Sequence, residues 1–534
     1  MFSILLFTIL AVSSAWLWLR LRKVGTRELE LPPGPPTLPL LGNILELPTA
    51  KAYLKFAEWA KTYGDIFSLK VGPATIVVLS SPKAVRECLD LHGTTTSSRP
   101  FFYVNELISN NCEIAFMEYG SRWRNWRRAV HDILSPDACA KHQPIQRAEA
   151  SKLMYDLLEN PKQFYTHIYR YSASVIFSVV YGIHCPEFSN TFIQEFFDVT
   201  RQFDSVLKPG FAPPVELFPA LRNIPERWAP WKRTCKAIRT QQRKLFFGLL
   251  DIFTEGLNNG KRNGCFMEHV VDHQDAYDFD REFLGYFGGG MLEAGTDTTS
   301  VFLQSFLGCM LACPDVQARA QAEIDHIVGP DRTPELDDIE NLPYLQAIIK
   351  EVHRYCPVTP MAIPHASLAD ERVGHYLIPK GATIFMNLWA LGRHEDYFDN
   401  PNEFNPDRYM RSEFGTKPGV DIEALRPDFA FGAGRRLCPG RHFASASIHL
   451  NTMNLLWAFS FMPTKDPITG KPKVLDLNDS DDGLFLKLKP FECEIVPRSA
   501  KRAEMIRAQF AAAKSTFDLF DRPASITTAT DTRA

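Results

Sequence analysis

The chain has 534 residues, 45% of them hydrophobic and 12% aromatic, with a formal net charge of −3. That length and apolar content can bury a large core, and a charge so near zero excludes a polyanion such as nucleic acid as the dominant partner. No internal repeat and no long Gly/Ser or charge-run linker interrupts the chain between Leu31 and Pro497, so one large catalytic body is expected.

The first element is "FSILLFTILAVSSAWLWL", uncharged from Phe2 to Leu19 and followed by Arg20, Arg22 and Lys23. As a helix it would reach roughly 27 Å, close to the thickness of a bilayer's hydrocarbon. No Lys or Arg precedes the run and bulky Trp16 to Leu19 close it, which argues for an uncleaved anchor over a cleavable signal. The basic residues behind it place the rest of the chain in the cytosol. "LPPGPP" (Leu31–Pro36) follows as a stiff extended segment able to hold a globular body at a fixed angle.

"GSRWRNWRRAVHDIL" is a basic amphipathic helix with Trp123 and Arg127 at i and i+4. Taken alone, it fits a membrane surface or a nucleic acid. "DREFLGYFGGGMLEAGTDTTSVFLQSFLGCMLACPD" is mostly apolar from a capping Asp280 to Pro314, which predicts a long buried helix. Inside it, Asp297 and Thr298 are costly to bury. They serve either as structural groups, Thr298 bonded back to a carbonyl and Asp297 to a cation, or as reactive ones. "EVHR" puts Glu351 and Arg354 on one helical face, and its apolar flanks are enough to bury the pair. His365 in "IPHAS" reads as a strand histidine. "PNEFNPDRY" then supplies Arg408.

"FGAGRRLCPG", residues 431–440, holds Cys438 in a glycine-rich loop just before the helix "GRHFASASIHLNTMNLLWAF". Gly432, Gly434 and Gly440 permit backbone conformations and close approaches that a side chain blocks. Exposed amides, the helix dipole and neighbouring Arg435 and Arg436 would keep a thiolate ionised there and able to ligate a metal. One thiolate is too few for tetrahedral zinc or an iron–sulfur cluster, whereas a haem needs a single axial residue. The other ten of eleven cysteines are scattered without a CxxC pair, as expected of reduced, mostly buried thiols. Competing motifs fail: Glu293 in "GGGMLE" and Leu437 in "GAGRRL" stand where a dinucleotide fingerprint needs glycine, and Phe398 in "HEDYF" stands where a zinc protease needs histidine. Beyond Pro497, "RSAKRAEMIRAQFAAAKSTFDLF" can form a further helix before a Thr-rich end expected to be disordered.

Phe431, Gly434, Arg436, Cys438 and Gly440 match, in order and spacing, the haem-binding loop of the cytochrome P450 family, which the chain resembles from about Pro32 to Pro497. The resemblance implies a mainly α fold with a small β region, preceded by one N-terminal transmembrane helix. Residues 1–23 would be the anchor, 24–36 a Pro-rich hinge, 37–497 the catalytic domain and 498–534 a helical and disordered tail. It implies haem b (iron protoporphyrin IX), with Cys438 as axial ligand and Arg436, Trp123, Arg127 and His365 near the propionates. Asp297 and Thr298 would deliver protons, Ala294 and Gly295 would leave room for the ligand, and Glu351, Arg354 and Arg408 would form a structural triad. Electrons would come from a separate NADPH–cytochrome P450 reductase, with cytochrome b5 as an optional second donor, docked on a basic face that includes Arg124, Arg128, Arg435 and Arg441.

The expected function is therefore a monooxygenase of fungal secondary metabolism. It would be anchored in the endoplasmic reticulum membrane by a single span, with its catalytic domain in the cytosol. It would insert one oxygen atom from O2 into a small apolar substrate held by "FFYVNELISNNCEIAF", "RQFDSVLKPGFAPP", "VTPMAI" and "SDDGLFL". Two other functions would use the same loop: a reductase-independent thiolate–haem isomerase or dehydratase, and a non-catalytic haem sensor.

Overall fold

The computed structural model describes residues 23–520, except 209, 217, 428 and 482, together with Ser13 and Trp16. The expected anchor falls almost wholly outside the described residues, among which no single helix is long and apolar enough to cross a membrane. The main helices are α1 (Ala52–Tyr63), α2 (Tyr103–Ser109), α3 (Ser121–Leu134), α4 (Gln143–Glu159), α5 (Phe164–Tyr181), α6 (Thr191–Val206) and α7 (Pro230–Asn258). They continue with α8 (Phe266–Asp272), α9 (Arg281–Ala312), α10 (Pro314–Ile327), α11 (Pro343–Tyr355) and α12 (Arg441–Ala458).

The β structure is small. β1 (Ile66–Val71), β2 (Ala74–Leu79), β3 (His365–Ala366) and β6 (Thr383–Met386) make one sheet in the order β1-β2-β6-β3, with β2 and β6 parallel and the other pairs antiparallel. β4 (Glu371–Val373) pairs with β5 (Tyr376–Ile378), and β7 (Phe459–Pro463) with β8 (Cys493–Pro497). The Pro-rich segment is pinned along β1: the Ser68 amide and hydroxyl donate to the carbonyls of Pro33 and Pro32 at 2.7 and 2.6 Å.

Helix α9 forms the axis of the core because its sequence is apolar on nearly every side, and such a helix must be enclosed. Its start is set by Asp280, whose carboxylate accepts from the Phe283 amide at 2.7 Å. Its end is set by Pro314, which cannot continue the hydrogen-bond ladder; α10 begins there after a bend of 107°.

Glu351 is fully buried at the end of α11 and is held by both predicted arginines. Arg354 reaches it through Nε at 2.7 Å and Nη2 at 2.8 Å, and Arg408 through Nε at 3.2 Å. The Asn405 amide adds a fourth donor at 2.7 Å, and the remaining Arg354 protons go to the carbonyls of Gly392, Pro401 and Glu403. One carboxylate thus serves two guanidiniums, and main-chain carbonyls, including those of Asp399 and Asn400 for Arg408, take up the remaining donors.

The tail is docked as far as Phe520, and its expected disordered end lies outside the described residues. Its helices α13 (Ala500–Ala512) and α14 (Lys514–Asp518) bury Ile506, Phe517 and Phe520 against the core. Phe510 stacks on Tyr155 at 4.4 Å and Phe517 on His184 at 4.2 Å, while the His184 amide donates to the Phe520 carbonyl at 2.9 Å. Arg498 and Arg502 grip Asp325 on α10 from the same segment. Burying an aromatic or aliphatic side chain contributes on the order of 1.5–3 kcal/mol as an upper bound, so ending the chain at Pro497 is expected to lower the melting midpoint by several degrees. Ending it at Phe520 should leave the midpoint where it is; thermal melts of the two truncations and the full chain compare them.

Candidate active site

The Cys438 loop is shaped by its glycines and pinned from a distance. Gly434 sits at φ +58°, and a Cβ there would lie 2.2 Å from the Leu89 carbonyl, so only glycine fits. Its amide donates to Asp90 Oδ1 at 2.8 Å, and Arg426 holds the same carboxylate at 3.0 Å. The Cys438 amide donates to the Phe431 carbonyl at 2.8 Å, closing the loop beneath the cysteine. Gly432 is also left-handed, at φ +95°, but Gly440 takes an ordinary φ of −82° as the residue that opens α12.

Electrostatics around the sulfur differ from expectation. Arg435 points away to the Tyr119 hydroxyl and Thr94, and Arg436 to the carbonyls of Ser97 and Met117. The charges that act on Cys438 are Arg127, from α3, and Arg441, in the first turn of α12. Burial pushes the thiol up, against the pull of the Gly440 amide and those two arginines. Coordination to a metal deprotonates such a thiol outright.

Above the cysteine, α9 presents Ala294, Asp297 and Thr298 to a cavity of about 370 Å³, whose wall also includes Cys438, Arg436 and Phe302. Gly295 lies on this wall too, but its missing Cβ faces α5, where Ile176 would be only 2.5 Å away. Its bareness therefore serves helix packing and leaves little extra room for a ligand. Thr298 Oγ1 donates back to the Ala294 carbonyl at 2.8 Å, and buried Asp297 is paired with Lys487 at 3.4 Å. The structural uses expected of this pair are present, and both residues nonetheless face the cavity.

At one edge of the cavity lie Trp123, Arg127, His365 and Arg436, together with Arg99, which the motif analysis missed. The Arg436 guanidinium rests 4.3 Å over the Trp123 ring. These arginines donate to main-chain carbonyls: Arg99 to Ala115, Ile363 and Pro364, and Arg127 to Leu437 at 2.8 Å. Burial and then the nearby Arg127 bring Arg436 down to about 9, while burial and then Arg436 hold Arg99 well below its ordinary value. Arg99 is buried and Arg127 and Arg436 are half-buried, and three guanidiniums gathered so closely call for an anion. The two propionates of a haem seated on Cys438 meet that need, so the residues present fit the group. Buried His365 bonds the Thr96 carbonyl through Nδ1 at 2.9 Å and is kept neutral, first by burial and then by Arg99.

His353, inside the "EVHR" motif, also went unremarked in the sequence. It packs between Phe302 and Phe431 at 4.6 and 5.5 Å, and burial lowers it to about 4. Each of the four segments expected to shape a pocket reaches the cavity, through residues such as Ile114, Phe203, Val358 and Phe485. Their side chains there are mostly apolar, with acidic exceptions at Glu113 and Asp204.

A single cysteine under a cavity edged by unpaired arginines defines a thiolate–haem protein. Comparison with known proteins agrees. The sequence profile described as Cytochrome P450 matches residues 32–485. A cytochrome P450 monooxygenase of Armillaria gallica is 42% identical over 500 residues, covering 94% of this chain and 95% of its own. Those of Rhodocybe pseudopiperita and Penicillium terrestre are 37% and 36% identical, covering 94% and 91% of this chain and 96% and 93% of their own. Among solved structures, a zebra fish cytochrome P450 with progesterone superposes with a TM-score of 0.70 at 26% identity, covering 84% of this chain and 99% of that one. The chain belongs to the cytochrome P450 family and, like these fungal relatives, is a monooxygenase.

Proposed function

We propose that the chain binds haem b through Cys438 and inserts one atom of O2 into a small, largely apolar organic substrate, in fungal secondary metabolism. The balance is two electrons and two protons consumed per O2, with one oxygen atom entering the substrate and the other leaving as water. Bound haem supplies the oxygen-activating chemistry, and the thiolate favours O–O cleavage. The observation that carries this reading is the convergence of Cys438, the unpaired arginine edge and the α9 acid–alcohol pair on one cavity.

The chain's own residues have separate tasks. Arg99, Arg127, Arg436 and Trp123 would hold the propionates of the bound cofactor. Asp297 takes protons from the Lys487 side, where its carboxylate is already in contact with an ammonium. Thr298 passes them into the cavity by exchanging its bond to the Ala294 carbonyl for one to the reacting group. Exposed Arg124, Arg128 and Arg435, with half-buried Arg441, offer a cationic surface to an acidic reductase or cytochrome b5. Anchoring in the endoplasmic reticulum membrane by residues 2–19 is part of the same proposal and is supported by their uncharged, mostly apolar run.

The test is a turnover assay with and without reductase and NADPH, on the parent and on Thr298→Ala. Product should require both additions and fall by about 100-fold in the variant, the scale of a lost proton donor. Full turnover without reductase would replace this reading with a thiolate–haem isomerase or dehydratase.

A further inference from the structure

We propose that the substrate carries a hydroxyl group, and that Glu113, Glu293 and Thr200 form the polar wall that grips it inside an otherwise apolar cavity. The inference rests on the reading of this cavity as the haem and substrate site, and it adds the chemical class of what enters.

The three residues come from separate elements and face one space. Glu113, only 4% exposed, sits in the turn after α2, with Oε1 accepting from the Ala115 amide at 3.2 Å. It lies against a bare turn of α9: a Cβ on Gly290 would be 3.7 Å from Oε1. Glu293 is three residues further along α9, so it falls on the same face. Glu293 Oε1 accepts from Gln242 Nε2 at 3.4 Å, and the two carboxyls are close enough to perturb each other's ionisation. Glu113 Oε2 remains buried without an N–H or hydroxyl donor. Thr200, on α6 and 7% exposed, lines the same cavity, and its hydroxyl has no partner either. Polar atoms buried in this way cost free energy unless something satisfies them.

The charge of the wall selects among ligands. Burial, and then each other's presence, raise Glu293 well above the ordinary carboxylate range, and burial raises Glu113, so the pair retains its proton. Asp204 is pushed up to about 6, by burial first and then by Asp297, while Asp297 itself is matched by Lys487. A carboxylate substrate would meet four acids and one lysine. A ketone could accept but would leave Glu113 Oε2 without a donor. An ammonium donates only, and its desolvation in an apolar cavity is expensive. A hydroxyl both donates, as the free Glu113 oxygen requires, and accepts, so that it can also pair with the Thr200 hydroxyl.

The experiment uses the full-length haem-loaded protein and two probes of one shape, 1-naphthol and 1-methoxynaphthalene, titrated by calorimetry at neutral pH. The alcohol should bind about tenfold tighter than the ether, since a site built around a hydroxyl rejects the analogue lacking it. Glu113→Leu should reduce that preference to about threefold or less, Glu113→Gln should restore most of it, and Thr200→Val should weaken it independently. Equal binding of alcohol and ether, no binding of the alcohol, or a preference that survives both Glu113→Leu and Thr200→Val would each overturn the proposal. The carbonyl spectrum of the reduced protein, read on the same samples, separates two failures. An intact thiolate signature with no preference removes only the hydroxyl assignment, and a missing signature removes the haem reading as well.

Discussion

Replacing Cys438 by alanine is expected to abolish the red-shifted Soret band of the reduced, carbon monoxide-bound protein, and turnover with it, while leaving the chain folded. The loop does not depend on the sulfur for its shape. The Cys438 amide still reaches the Phe431 carbonyl, and Asp90 still holds Gly434 from the other side. What disappears is, among the described residues, the one cysteine on the cavity wall, and with it the thiolate that the red-shifted band reports. Absorption spectroscopy of the reduced sample, paired with circular dichroism of the same preparation, checks both halves. A retained Soret shift in the alanine variant would show that the iron is held elsewhere.

Glu351→Ala should be the most destabilising single change in the fold. It removes the carboxylate that compensates two buried guanidiniums, Arg354 at 6% and Arg408 at 3% exposure, and it strips the partner from the Asn405 amide. Breaking a buried ion pair by deleting one member costs about 3–5 kcal/mol, because the partner charge stays where water cannot reach it. With two such partners, the loss is comparable to the net stability of about 5–15 kcal/mol typical of a folded protein. The expected result is little soluble haem-loaded protein and a denaturation midpoint far below that of the parent. A variant that melts with the parent would mean that water relieves both arginines and that the cluster carries little of the fold.

Much of this was legible in the sequence because it is local. The capping Asp280 and the breaking Pro314 delimit α9 to within two residues, and "EVHR" brings its acid and base together by helical spacing alone. The tight glycines of 431–440 likewise announce a constrained cysteine. What stayed hidden depends on segments distant in the chain. Nothing in "SSRP" marks Arg99 as part of a cation cluster; it becomes one only when β3 brings His365 beside the Thr96 carbonyl and α3 brings Arg127 to the same edge. Asp90 lies 344 residues from the glycine it pins. Adjacency in sequence also misled: Arg435 and Arg436 neighbour Cys438 along the chain, yet Arg435 turns to Tyr119 and Thr94 and Arg436 to the cavity edge, and Arg127 and Arg441 supply the field instead. The acids of the cavity wall were visible as letters, but their meaning comes from Glu113 meeting Glu293 across an apolar space.

The docked C-terminal helices bear on the order of events at the ribosome. Phe517 and Phe520 close over His184 and its surroundings, a surface made by residues translated more than 300 positions earlier. Until Phe517 and Phe520 have been made, the His184 side of the nascent protein lacks its apolar cover, so that face is completed later than the loop around Cys438.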